Sequence, residues 1–172
     1  MAIHSTEIKG RSPAAGNPVT LPHSKYYPAR TDSNLHGFIH HPPGFPIEWR
    51  TLRHKHKTVE DGTVANGHIG LCFETNQYIK PDTLLEVTIL IRGEVQTFTG
   101  RVILVRNKGE LFEIGIWLTS RADASRIRMV EQICHIEAYL THKRHHEGPF
   151  VSPERVAQEW ISRFASRFPS FG

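Results

Sequence analysis

Leu84-Leu85-Glu86-Val87-Thr88-Ile89-Leu90-Ile91-Arg92-Gly93-Glu94-Val95 is the stretch that decides the fold. Leu85, Val87, Ile89 and Ile91 alternate with Glu86, Thr88 and Leu90, the period of two that puts one set of side chains on a buried sheet face. Arg92-Gly93-Glu94 is a short connection containing glycine. Residues 95–105 follow with Thr97, Phe98, Thr99, Val102, Ile103 and Val105, so the two runs predict a hairpin. Asn107-Lys108-Gly109-Glu110 is a second turn, after which Phe112, Ile114, Ile116 and Leu118 alternate with Glu113, Gly115 and Trp117 and add a third antiparallel strand. Upstream, residues 47–57 and 63–74 are two more strand candidates, separated by Glu60-Asp61-Gly62. Five or more short strands in succession predict a small barrel, which also removes exposed edges.

Downstream the period changes. Met129, Ile133, Ile136 and Leu140 are spaced by 4, 3 and 4, with Arg126, Arg128, Glu131 and Gln132 between them, so residues 120–143 are expected to form an amphipathic helix with Ser120 as its N-cap. Gly148-Pro149 breaks it, and Ser152-Pro153 starts a second helix by placing an N-cap residue before a proline at the first helical position. There Val156, Trp160, Phe164 and Phe168 recur every four residues, with Ala157 and Ile161 widening the stripe. Residues 1–34 have prolines at 13, 18, 22 and 28 and no apolar period, and read as a flexible Pro-rich tail. Just beyond it, Phe38 and Ile39 are placed to pin an arm against the core.

The chain has 172 residues, a net charge of +4 and 38% hydrophobic residues, which suits one domain with an appendage and argues against wholesale disorder. No apolar run approaches the roughly 20 residues of a membrane span, and Glu7 and Lys9 interrupt the place of a secretory apolar region. A cytoplasmic protein is expected. Cys72 and Cys134 make neither a disulfide framework nor a Cys-x-x-Cys motif, so reduced, buried thiols are expected.

Enzyme signatures are missing from the sequence: there is no Gly-x-x-x-x-Gly-Lys loop, no Gly-x-Ser-x-Gly elbow and no His-Glu-x-x-His. No catalytic residue, cofactor or metal is therefore expected. Among the twelve histidines, His142 and His146 are four apart on a helix, but two imidazoles alone make a weak metal site; with Lys143 and Arg144 they read as a solvated basic helix end. The densest charge is Arg50-Thr51-Leu52-Arg53-His54-Lys55-His56-Lys57. Arg50, Arg53 and Lys55 are candidate anion contacts, with Trp49 available for base stacking; the plainer reading is a solvated edge strand whose lysines block pairing.

The order Phe45-Pro46-Ile47-Glu48, then Ala65-Asn66-Gly67-His68-Ile69-Gly70-Leu71, then the hairpin, then Phe112-Glu113-Ile114-Gly115-Ile116-Trp117-Leu118 resembles PilZ domains, the bacterial cyclic di-GMP receptor family, over residues 35–118. The resemblance implies a mainly β fold with added α structure: a small six-stranded antiparallel β-barrel over residues 35–119, then two C-terminal helices in residues 120–172. In that family an Arg-x-x-x-Arg stretch clamps phosphates and stacks on guanine, and an Asp/Asn-x-Ser-x-x-Gly turn binds a guanine edge. Here His36-Gly37-Phe38-Ile39-His40 stands at the first motif and Ala65-Asn66-Gly67-His68-Ile69-Gly70 at the second, where Gly70 agrees. A shifted register puts Asn66 and His68 at the Asn and Ser positions, with the glycine one residue early.

These departures carry a cost. Imidazole is mostly uncharged at neutral pH, and exchanging two guanidiniums for it forfeits charge-assisted hydrogen bonds of roughly 1.5–3 kcal/mol each. The resemblance thus implies a non-catalytic signalling protein of the cyclic di-GMP pathway, a degenerate adaptor acting through a protein partner. One alternative is a direct cyclic di-GMP effector using His36, His40, Asn66, His68 and Gly70. Another, with less support, is a nucleic-acid-binding barrel using residues 50–57. Self-association through the helix bearing Met129, Ile133, Ile136 and Leu140 is a further expectation.

Overall fold

The computed structural model describes residues 9–11, 37–52 and 69–168. Seven strands form one sheet: β1 (Lys9–Arg11), β2 (Phe38–His40), β3 (Ile47–Thr51), β4 (Gly70–Thr75), β5 (Leu84–Ile91), β6 (Glu94–Asn107) and β7 (Phe112–Leu118). Two helices follow, α1 (Arg121–Glu147) and α2 (Pro153–Phe164), the second ending in a short 3-10 turn, Ala165–Arg167. The spatial order is β1-β3-β5-β6-β7-β4-β2, antiparallel throughout except for the parallel pair β2–β4.

The deciding stretch folds as its pattern requires. Leu85, Val87 and Ile89 are fully buried, and β5 joins β6 through Arg92-Gly93, both at positive φ (48° and 81°), as in the two-residue turns whose twist matches a hairpin. In β6 the register slips between Val102 and Leu104, leaving Ile103 as an extra, exposed residue. That bulge exchanges the faces of the strand: Phe98 and Val102 point into the core, whereas Leu104 and Arg106 join Trp117 and Glu113 on the other side.

The sheet is rolled. Trp49 of β3 donates from Nε1 to Thr75 Oγ1 of β4 at 3.4 Å, although three strands separate β3 from β4 in the order. In a flat sheet those strands would lie about 19 Å apart. Among the described residues the sheet nevertheless does not close, so the expected six-stranded barrel is corrected to an open, seven-stranded, mostly antiparallel sheet. The physical reason is the helices: Ile127, Val130, Cys134, Val156, Trp160 and Phe164 share one continuous core with the inner faces of β3 to β7, covering apolar surface that strand closure would otherwise have to cover. Within the segment expected as a tail, Lys9–Arg11 pair antiparallel with β3; adding a three-residue strand to an open edge needs backbone groups and no apolar period.

Both helix starts match expectation. Ser120 accepts from the Asp123 amide, Ser152 accepts from the Arg155 amide, and Pro153 occupies the first helical position. Val156, Trp160, Phe164 and Phe168 are buried, but Ile161 is exposed and does not widen the stripe. On α1 the predicted stripe is corrected. Leu140 is buried as expected, but Met129 is 59% exposed, Ile133 and Ile136 are only partly buried, and the buried face runs through Ile127, Val130, Glu131, Cys134 and His135. The helix turns further round than its aliphatic residues suggest because two polar residues belong to its inner face. No helix among the described residues is long and apolar enough to cross a membrane.

Candidate functional site

Pairing of β2 with β4 brings together the described ends of the two segments at which the PilZ-like motifs were placed. Phe38 lies opposite Gly70 and His40 opposite Cys72, and the Gly70 amide donates to the Gly37 carbonyl at 2.7 Å. Gly70 is required by space: a Cβ there would run into the Phe38 ring and come within 2.7 Å of the Ile116 carbonyl oxygen. Ile39 points into the main core, whereas Phe38 packs edge-on against Trp117, ring centres 5.6 Å apart, beside Cys72 and Leu104 on the outer face.

His40 shares that outer face. A ring nitrogen of His40, the Cys72 thiol and a carboxylate oxygen of Glu113 lie within 4.8 Å of one another; Cys72 and Glu113 are buried and His40 is half-buried. Arg106 Nη1 and Lys108 Nζ stand 3.6 and 3.7 Å from Glu113 Oε2, near enough for attraction but too far for hydrogen bonds. Burial, with the Glu113 charge next in weight, pushes the Cys72 thiol far above its ordinary range. Burial does the same to Cys134, helped by Glu131, and both cysteines are free. Neither is poised as a thiolate nucleophile.

Of the residues singled out in the sequence, His40 and Gly70 are thus neighbours on adjacent strands. Arg50 is elsewhere, on β3, where its Nε donates to Glu86 Oε1 at 2.5 Å across the β3–β5 pair. An anion approaching Arg50 must compete with that carboxylate. Trp49, expected as a stacking platform, is instead buried against Thr75. Its side of β3 faces the core because the strand alternates Ile47 and Trp49 inward. His36, Arg53, Lys55, Asn66 and His68 lie outside the described residues.

A second polar group, which belongs to no sequence motif, joins β2 to α1. His41 Nδ1 lies 2.8 Å from Glu131 Oε1, and its Nε2 is 3.2 Å from the Phe45 carbonyl oxygen. The neighbouring His135 Nε2 is 2.7 Å from the His40 carbonyl oxygen and donates to it. The His135 ring is stacked on Trp160 and edge-on to Phe168, so α2 closes the group from the other side. Burial lowers the His135 pKa to about 4, outweighing the opposing pull of Glu131 and of the bond to His40; the ring is neutral at physiological pH. Two consecutive residues, His40 and His41, therefore tie the end of β2 to successive turns of α1. The sequence signal for them was the i, i+4 pair Glu131 and His135 on the helix face that also carries Ile127 and Cys134.

The aromatic residues of the C-terminal helix pack within the chain. Trp160, Phe164 and Phe168 pack on one another and on His135 and Tyr139, and Glu159 accepts from Tyr139 Oη and Arg163 Nη1, both at 2.7 Å. Of the four residues expected to mediate self-association, Met129 alone is exposed. His142 and His146 lie close, ring centres 4.3 Å apart, at the basic end of α1.

No family model, curated protein or solved structure matches the chain.

Proposed function

We propose that the chain is a non-catalytic bacterial signalling protein of the PilZ type, working in the cyclic di-GMP pathway as a degenerate adaptor through protein contacts. The observation that carries this reading is the use to which β2 is put. At the position of the arginine motif, Phe38 and Ile39 are buried and His40 is turned onto Cys72 and Glu113, so this strand spends its side chains on packing. It offers a phosphate no planar cation with paired donors, which is the chemistry that motif requires. The strand pattern and the closing Ile114-Gly115-Ile116-Trp117 strand support the PilZ-like part of the reading.

A direct cyclic di-GMP effector is the second reading, favoured by one observation: β2 pairs with the start of β4, so Phe38 and His40 stand beside Gly70 and Cys72. Calorimetric titration of the protein with cyclic di-GMP, at near-neutral and mildly acidic pH, separates the two. The adaptor gives no binding heat at either pH. Saturable heat would make the protein a receptor, and heat only at mildly acidic pH would assign the binding to protonated imidazoles. A nucleic-acid reading has less support, because Arg50 is paired with Glu86 and Trp49 is buried.

A further inference from the structure

We propose that His40, Cys72 and Glu113 form a binding site for a thiophilic divalent cation of the zinc type. The three residues come from β2, β4 and β7, which are consecutive in the sheet, and they lie on the same outer face. His40 is opposite Cys72 in the parallel pair; Glu113 is opposite Glu74, one step diagonal from Cys72. Their donor atoms already converge within 4.8 Å, and small rotamer changes bring such a triangle to the separations of a tetrahedral site. Imidazole nitrogen, thiolate and carboxylate are the donor set zinc prefers, with a fourth position left for water.

Charge balance favours the same occupant. One thiolate and one carboxylate neutralise a divalent cation, so the loaded site carries no net charge where an isolated charge would be costly. Binding releases the Cys72 thiol proton to solvent. Glu113 Oε2 is buried without a hydrogen bond, and the two cations near it hold it only at a distance. Arg106 and Lys108 keep 24% and 34% of their side chains exposed, and an arriving metal takes over from them the charge of Glu113.

The other converging group, His41, Glu131 and Cys134, is a poorer host. All three are buried, and each ring nitrogen of His41 already faces an oxygen, Glu131 Oε1 or the Phe45 carbonyl. A cation there must first displace the His41–Glu131 contact. The His40 site stands on three side chains and does not depend on whether the protein binds a nucleotide.

The test is titration of the full, reduced chain with Co²⁺, followed by displacement with Zn²⁺. Only a cysteine-containing site produces a thiolate-to-cobalt charge-transfer band, which excludes sites built from surface histidines alone. The expected result is one equivalent of Co²⁺ with that band in the wild type and in Cys134→Ser, and its loss in Cys72→Ser. Glu113→Gln, a milder change that removes the ligand's charge, keeps the band but binds Co²⁺ more weakly than the wild type, so the outcome does not hang on Cys72→Ser folding well. Absence of the thiolate band in the wild type overturns the proposal. Its survival in Cys72→Ser with loss in Cys134→Ser also overturns it, and assigns the metal to the His41 group.

Discussion

Glu131 Oε1 lies 2.8 Å from His41 Nδ1, with 0% and 3% of the two side chains exposed, and this contact joins the sheet to α1 across 90 residues of sequence. The Phe45 carbonyl at His41 Nε2 can only accept, so that nitrogen carries a hydrogen. Removing either partner strands the other in the core. Glu131→Ala is expected to cost about 3–5 kcal/mol in urea unfolding, whereas the double variant His41→Phe/Glu131→Leu recovers most of that loss. A double variant no more stable than Glu131→Ala would contradict this account of the pair.

His135 sets a pH dependence whose sign is fixed. Its folded pKa is about 4 because burial disfavours the charged ring, while in the unfolded chain it titrates near 6.5. Between those values the unfolded state binds more protons, so stability rises with pH across the window. The contribution is complete above about pH 6.5 and is lost as pH falls towards 4, on the order of 3 kcal/mol for a single group with this offset. His135→Phe keeps a ring against Trp160 and removes the titration. Urea unfolding across the window should show a shallower pH slope for the variant, and equal slopes would remove His135 from the linkage.

Gly70 holds β2 on the sheet through an absent side chain. Gly70→Ala forces a methyl into the Phe38 ring and the Ile116 carbonyl, an overpacking expected to cost about 1–3 kcal/mol. The strain is relieved most easily by displacing the three-residue β2. Amide hydrogen exchange should therefore accelerate at Phe38 to His40 more than at Val87 or Ile114. Uniform acceleration throughout the sheet would show that β2 is not the element that yields.

The strands were legible where the alternation was unbroken. Residues 84–91 are buried on the face their pattern assigns, and Ile114 and Ile116 point into the core as expected, although the outer face of that second strand is also covered at Glu113 and Gly115. The inner face of α1 was not legible, since Glu131 and His135 occupy positions an apolar count discards, and Met129 and Ile133 filled the gap in the pattern. β1 was equally hidden: Lys9-Gly10-Arg11 pairs through backbone groups that no side-chain periodicity reports. Gly70 was singled out from its motif position as a ligand residue, while the steric role it plays depends on Phe38, 32 residues earlier and adjacent only after β2 and β4 pair. Cys72 and Glu113 escaped because their convergence with His40 exists only in the sheet order. The barrel was expected from strand number alone, and strand number does not reveal that helices cover the open side.

On the proposed adaptor reading, the described motif positions, Phe38 to His40 and Gly70, serve packing and do not hold nucleotide. The most direct measurement is a cyclic di-GMP titration followed at the backbone amides of residues 37–40 and 69–75 by NMR. The adaptor account predicts no concentration-dependent shift at these amides. Saturating shifts confined to β2 and the start of β4 would contradict it and make the protein a direct receptor.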